Sequence, residues 1–176
     1  MNKLITILTL LITLLTTAAG NVQGEMQEKI NYADSPKWVV QLGKEKEAAQ
    51  LLVVAAVGQT TAYVSMHEKD ASGKWKEIMT TPGYIGKKGL GKTKEGDEKT
   101  PRGTFHFNAA FGIAADPGCA IPYHQVTKDD YWSGGCVAIP KDCMREVMEN
   151  VKEDCVVVID DLKTLSPETW KRLGLE

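Results

Sequence analysis

Ser133-Gly134-Gly135-Cys136-Val137-Ala138-Ile139-Pro140 presents a cysteine from a glycine-paired turn and then runs into an apolar strand. Adjacent glycines let the backbone turn its N–H groups inward without a Cβ clash, where they can meet an oxyanion developing beside the Cys136 sulfur. Two readings are open on these residues alone. One is a nucleophile loop; the other is a β-turn around a buried, inert cysteine.

Downstream of the loop, Met144, Val147, Met148 and Val151 fall at helical spacing and predict one apolar helix face from about Lys141 to Val151. Cys155 to Ile159 reads as a buried strand, and Ser166-Pro167-Glu168 starts a C-terminal helix with an N-cap, a proline at its first position and an acid in its first turn. Upstream, Trp38 to Leu42 reads as a first strand, Lys44 to Gln50 as a connection and the valine-rich run Leu51 to Val57 as a second, buried strand. From Ala62 to His67 the residues alternate, which sets Ala62, Val64 and Met66 on the core side and Tyr63, Ser65 and His67 toward solvent. Asp70-Ala71-Ser72-Gly73 is a turn signal, and Trp75 to Thr80 returns as its hairpin partner, giving an antiparallel meander. Thr100-Pro101-Arg102-Gly103 launches a strand, Thr104 to Phe107, and the stretch from Asp116 to Trp132 reads as irregular.

A chain of 176 residues, 43% hydrophobic and 25% charged, suits one domain with its own core. Met1-Asn2-Lys3, the apolar run Leu4 to Ala19 and the small residues Ala18-Ala19-Gly20 read as an export signal over residues 1–20, with a retained anchor as the competing reading. A polar leader follows over 21–36, the domain over 37–162 and a helical tail over 163–176. A formal charge of −2 argues against nucleic acid and against charge-driven membrane binding once the signal is removed. Cys119, Cys136, Cys143 and Cys155 allow several disulfide pairings in an exported protein, and no cysteine or histidine pair has zinc-ligand spacing, so no metal is expected.

Residues 83 to 103 are rich in glycine, lysine and acids and read as a long surface loop, not a strand. A solvated loop is the plainer reading, and a loop that holds anionic groups of a ligand is the other. The spacing of a P-loop is absent.

The run Gly-Lys-Thr-x-x-Gly-Asp-x-Lys-Thr-Pro-x-Gly-x-Phe at 91 to 105 and the Gly-Gly-Cys-Val-Ala-Ile-Pro loop, in that order behind an export signal, resemble the L,D-transpeptidase catalytic domain of the YkuD type. The likeness spans roughly Lys37 to Asp160, and Phe111-Gly112 and Tyr131-Trp132 fit a divergent branch. It implies a mainly β domain, a β-sandwich or open barrel with one or two short helices, that cross-links peptidoglycan stem peptides without metal or organic cofactor. Cys136 would be the nucleophile and form a thioester, with Ser133, Gly134 and Gly135 at the substrate. The family's base is a histidine carried shortly before the cysteine on a strand-rich segment. Here Tyr131-Trp132 runs directly into Ser133-Gly134, as though the middle of that segment were missing.

His124, 12 positions before Cys136, is the candidate stand-in, against a plain loop residue beside Pro122. The family's frequent arginine two residues after the cysteine is Ala138. The resemblance leaves three activities to weigh: an L,D-transpeptidase, a cysteine hydrolase of the L,D-carboxypeptidase type, and an inactive relative that binds peptidoglycan.

Overall fold

The computed structural model describes residues 32–112, 115–125 and 135–175. The expected export signal, most of the polar leader, and Tyr131, Trp132, Ser133 and Gly134 lie outside the described residues. The elements in chain order are β1 (Ala33–Asp34), α1 (Lys37–Glu45), β2 (Gln50–Ala56), β3 (Thr61–Lys69), β4 (Trp75–Tyr84), β5 (Gly103–His106), β6 (Ala110–Gly112), β7 (Tyr123–Gln125), α2 (Lys141–Asn150), β8 (Val156–Asp161), α3 (Leu162–Leu165) and α4 (Pro167–Arg172). The fold is mainly β. Its six-stranded sheet runs β1-β4-β3-β2-β8-β5, and β6 and β7 pair in parallel as a separate ribbon.

The strand β2 is buried along its whole length because its alternating side chains feed two cores. Leu52, Val54 and Ala56 join Val64, Met66, Val157 and Ile159 on one face, where Val147 of α2 covers them. Leu51, Val53 and Ala55 join Val156 and Val158 on the other, under Val39 and Leu42 of α1 and Leu162 of α3. Each valine or leucine fully withdrawn from water contributes roughly 1.5–3 kcal/mol, so this doubly covered strand is the stable centre. It pairs antiparallel with β3 and parallel with β8. The fully buried Gln50 ties the sheet to the end of α2: its Nε2 donates to Asn150 O at 2.9 Å and its Oε1 accepts from Lys152 N at 2.9 Å.

The meander, the buried strands and the capped C-terminal helix follow the sequence reading. Ser166 Oγ accepts from Thr169 N at 3.4 Å, with Pro167 at the first helical position.

Trp38 to Leu42 is a correction, since it lies in helix α1 and not in a strand. Pro36 suits a helix start, and Val39, Leu42 and Gly43 are buried at helical spacing. A Cβ on Gly43 would stand 2.2 Å from the Trp75 ring, so glycine is what lets the indole of β4 lie against the helix. Ala33 and Asp34, read as leader, pair with Glu77 and Lys76 and extend the sheet. Met144 is a further correction: it is exposed, and Cys143, Val147 and Val151 carry the buried side of that segment.

His67 is the third correction, 1% exposed instead of facing water. The alternation is right, but its supposed solvent face is the one that α1, α3 and α4 cover. Its Nδ1 is 2.9 Å from Ser35 Oγ and its Nε2 is 2.8 Å from Ser65 Oγ, so a neutral imidazole satisfies both ring nitrogens with hydroxyls. Burial pushes its pKa down to about 4.

Between an unfolded value near 6.5 and that native value the unfolded chain holds a proton that the native one lacks, so stability falls as pH drops through this window. The Glu77 carboxyl, opposite His67 in the sheet, is pushed up by burial and opposes the trend. Urea unfolding is expected to show a loss of about 2 kcal/mol from His67 between about pH 7 and 4.5, absent in His67→Gln. Equal pH slopes in the two proteins would refute it.

Candidate active site

Thr100 is fully buried and holds the cysteine loop to the glycine-rich loop. Its Oγ1 accepts from Gly86 N at 2.7 Å and donates to Gly135 O at 2.7 Å, so a single hydroxyl satisfies two backbone groups far apart in the chain. Its own backbone is fixed as well: Thr100 N donates to Gly89 O, and Thr100 O accepts from Gly91 N and Lys92 N. Gly135 fits because it has no side chain. A Cβ there would stand 2.2 Å from the Lys99 carbonyl oxygen.

On the other side of Cys136 the chain is fastened to β4. Ala138 N donates to Tyr84 O and Tyr84 N to Ala138 O, both at 2.8 Å. Val137 and Ile139 pack against the sheet's first core. Cys136 itself is exposed, so the buried, inert reading does not hold for it. That reading fits Cys155 instead, fully buried, with burial pushing its thiol up to about 12. All four cysteines are free thiols.

Cys136 opens into a cavity of about 380 Å³ lined by Lys92, Glu95, Thr100, Pro101, Gly135, Val137 and Ile159 as well. The glycine-rich segment is therefore more than a solvated connection. Asp97 organises it, accepting backbone N–H bonds from Thr93, Lys94 and Lys99 at 2.7, 3.2 and 3.1 Å. Those bonds, with Thr93 foremost, hold its carboxyl well below the usual carboxylate range. An ordered acidic corner thus delivers Lys92 and Thr100 to the cysteine.

The candidate residues are only partly brought together. Cys136 and Gly135 share the cavity, while Ser133 and Gly134 lie outside the described residues. His124 sits on β7, in register with Phe111 of β6, and among the described residues the cavity lining contains no histidine. His67 is buried opposite Leu51 on the other face of the sheet, and His106 is exposed on β5. Ala138 is used for its backbone pairing with Tyr84.

Thr100 and Lys92 lie in the 91 to 105 run that carries the resemblance, but the sequence reading assigns neither of them a role at the site. Thr100 lies in a Thr-Pro motif that reads as a turn, and the bond that matters crosses 35 positions. Among the described residues, no cluster of His, Cys, Asp and Glu is placed to hold a metal ion. No family model, no curated protein and no solved structure matches the chain.

Proposed function

We propose that the protein is a cysteine acyltransferase of the L,D-transpeptidase type that acts on peptidoglycan stem peptides in the cell envelope. The observation that carries this reading is an exposed Cys136 clamped on both sides, by Thr100 at Gly135 and by Tyr84 at Ala138, at the mouth of a cavity of about 380 Å³. A thiol held this way is preorganised for attack, because its flanking backbone need not be ordered during the reaction.

In the proposed reaction the Cys136 thiolate adds to the carbonyl that joins the terminal D-residue to the stem. The C–N bond breaks, the D-amino acid leaves with a proton, and the acyl group remains as a thioester. An amine from a second stem then adds to the thioester carbonyl, the C–S bond breaks and the thiolate is regenerated. His124 is the proposed acceptor of the thiol proton, and no cofactor takes part. Backbone N–H groups at Gly134, Gly135 and Cys136 are the proposed oxyanion donors.

One observation favours a second reading, a relative that binds peptidoglycan without turning it over: among the described residues the cavity lining contains no histidine. Loss of a general base removes about two to four orders of magnitude in rate. Mass analysis of a stem tetrapeptide incubated with the protein, with and without an acceptor amine, separates the readings. A cross-linked product is expected. Release of the D-residue only to water identifies a hydrolase, and retention on purified sacculi without any product supports the binder.

A further inference from the structure

Lys92 is the one cation among the described residues that line the Cys136 cavity, and its side chain is only 21% exposed. Its backbone N–H donates to Thr100 O at 3.2 Å, and the Thr100 hydroxyl donates to Gly135 O. The lysine and the nucleophile loop are therefore referenced to one buried residue. Its Nζ lies 3.7 Å from where a Cβ on Gly135 would stand, which places the ammonium one residue from Cys136.

Two carboxylates face that ammonium, and they differ in kind. Asp97 is 3.9 Å away, with its oxygens engaged by the backbone N–H groups of Thr93, Lys94 and Lys99. Glu95 is 3.4 Å away, lines the same cavity and is otherwise 95% exposed. It is the partner that a ligand carboxylate can displace at little cost, because an exposed ion pair is worth about 0–1 kcal/mol.

We propose that Lys92 forms a carboxylate subsite beside Cys136, with Glu95 as its resident placeholder, and that it receives the free α-carboxylate of the residue next to the bond that Cys136 attacks. The substrate assignment rests on the acyltransferase reading; the anion subsite does not. On a peptide the attacked carbonyl and the terminal carboxylate belong to consecutive residues, about 3.8 Å apart between Cα atoms. Lys92 and Cys136 line one cavity, with the ammonium beside Gly135, the residue that precedes the cysteine. A lysine suits this role as a compact point charge that follows a terminal carboxylate without a fixed fork geometry.

The test uses the mature protein, Lys92→Met, Lys92→Arg and Glu95→Gln, with urea midpoints checking that each folds. The first readout needs no enzymatic activity: the alkylation rate of Cys136 by anionic iodoacetate relative to neutral iodoacetamide. The wild-type ratio is expected to fall about tenfold in Lys92→Met, recover in Lys92→Arg and rise in Glu95→Gln. An unchanged ratio in Lys92→Met overturns the subsite.

The second readout is kcat/KM on a stem tetrapeptide and on its C-terminal amide. A charge-assisted contact predicts a loss of about ten- to hundredfold on the carboxylate peptide in Lys92→Met, mainly in KM, with little change on the amide. Equal losses on both peptides overturn the substrate assignment and leave Lys92 a structural residue. A shifted alkylation ratio with no turnover of either peptide by wild type overturns the acyltransferase reading while the anion subsite stands.

Discussion

If Cys136 is the proposed nucleophile, the wild-type protein is expected to form a covalent adduct with a carbapenem, and Cys136→Ser is expected to remove that adduct and slow the proposed acyl transfer by about three orders of magnitude or more. The serine hydroxyl fills the same space but ionises far less readily than a thiol and is a far weaker nucleophile. Because Cys136 is exposed and its neighbours are held through their backbones, folding stability should change by less than about 0.5 kcal/mol. Intact mass after carbapenem exposure, paired with urea unfolding of both proteins, reads both effects. A wild-type adduct on Cys119, Cys143 or Cys155, or one that persists in the serine variant, would refute Cys136 as the nucleophile.

Gly135→Ala is expected to be the most damaging single methyl in the site. Its Cβ would meet the Lys99 carbonyl oxygen at 2.2 Å, and that oxygen belongs to the loop pinned by Asp97 and Thr100. Since one backbone must move from the other, the Thr100 to Gly135 hydrogen bond breaks, and the buried Thr100 hydroxyl and the half-buried Gly135 carbonyl lose each other as partners. Each such loss costs about 1–3 kcal/mol. Thr100→Val reaches the same state differently, by removing the hydroxyl in nearly the same volume and orphaning Gly86 N–H and Gly135 C=O together.

Both variants should lose about 2–4 kcal/mol in urea unfolding and slow carbapenem acylation at least tenfold. Gly135→Ala with wild-type acylation would show that the clamp on the cysteine loop is dispensable.

These effects also mark what the sequence could reveal. Alternation exposed β3, and the valine-rich run exposed β2, because local spacing alone sets which side chains share a face. It could not tell that a helix would cover the outer face, so His67 was placed in water. The same omission turned Trp38-Val39-Val40 into a strand, where β-branched residues outweighed the Ser-Pro start and the 39/42/43 spacing.

At the site, the glycine pair and the cysteine are visible as candidate chemistry, whereas the exposure of that cysteine, the Thr100 hydroxyl and the Lys92 ammonium are set across the fold. No pattern within a few residues encodes a bond from position 100 to position 135.

The parallel pairing of β2 with β8 bears on when the molecule can come into being during synthesis. Gln50 bonds Glu68 within the meander, but its other partners, Asn150 and Lys152, come 100 and 102 positions later, and Leu51 to Ala56 face Val156 to Asp161. Closing so long a loop is slow, and it cannot begin until the C-terminal strand has left the ribosome. A nascent chain stopped short of β8 therefore holds the β2-β3-β4 meander with one open edge, available to a chaperone or a protease. Residues 150 to 161 decide whether the meander laid down a hundred positions earlier is kept.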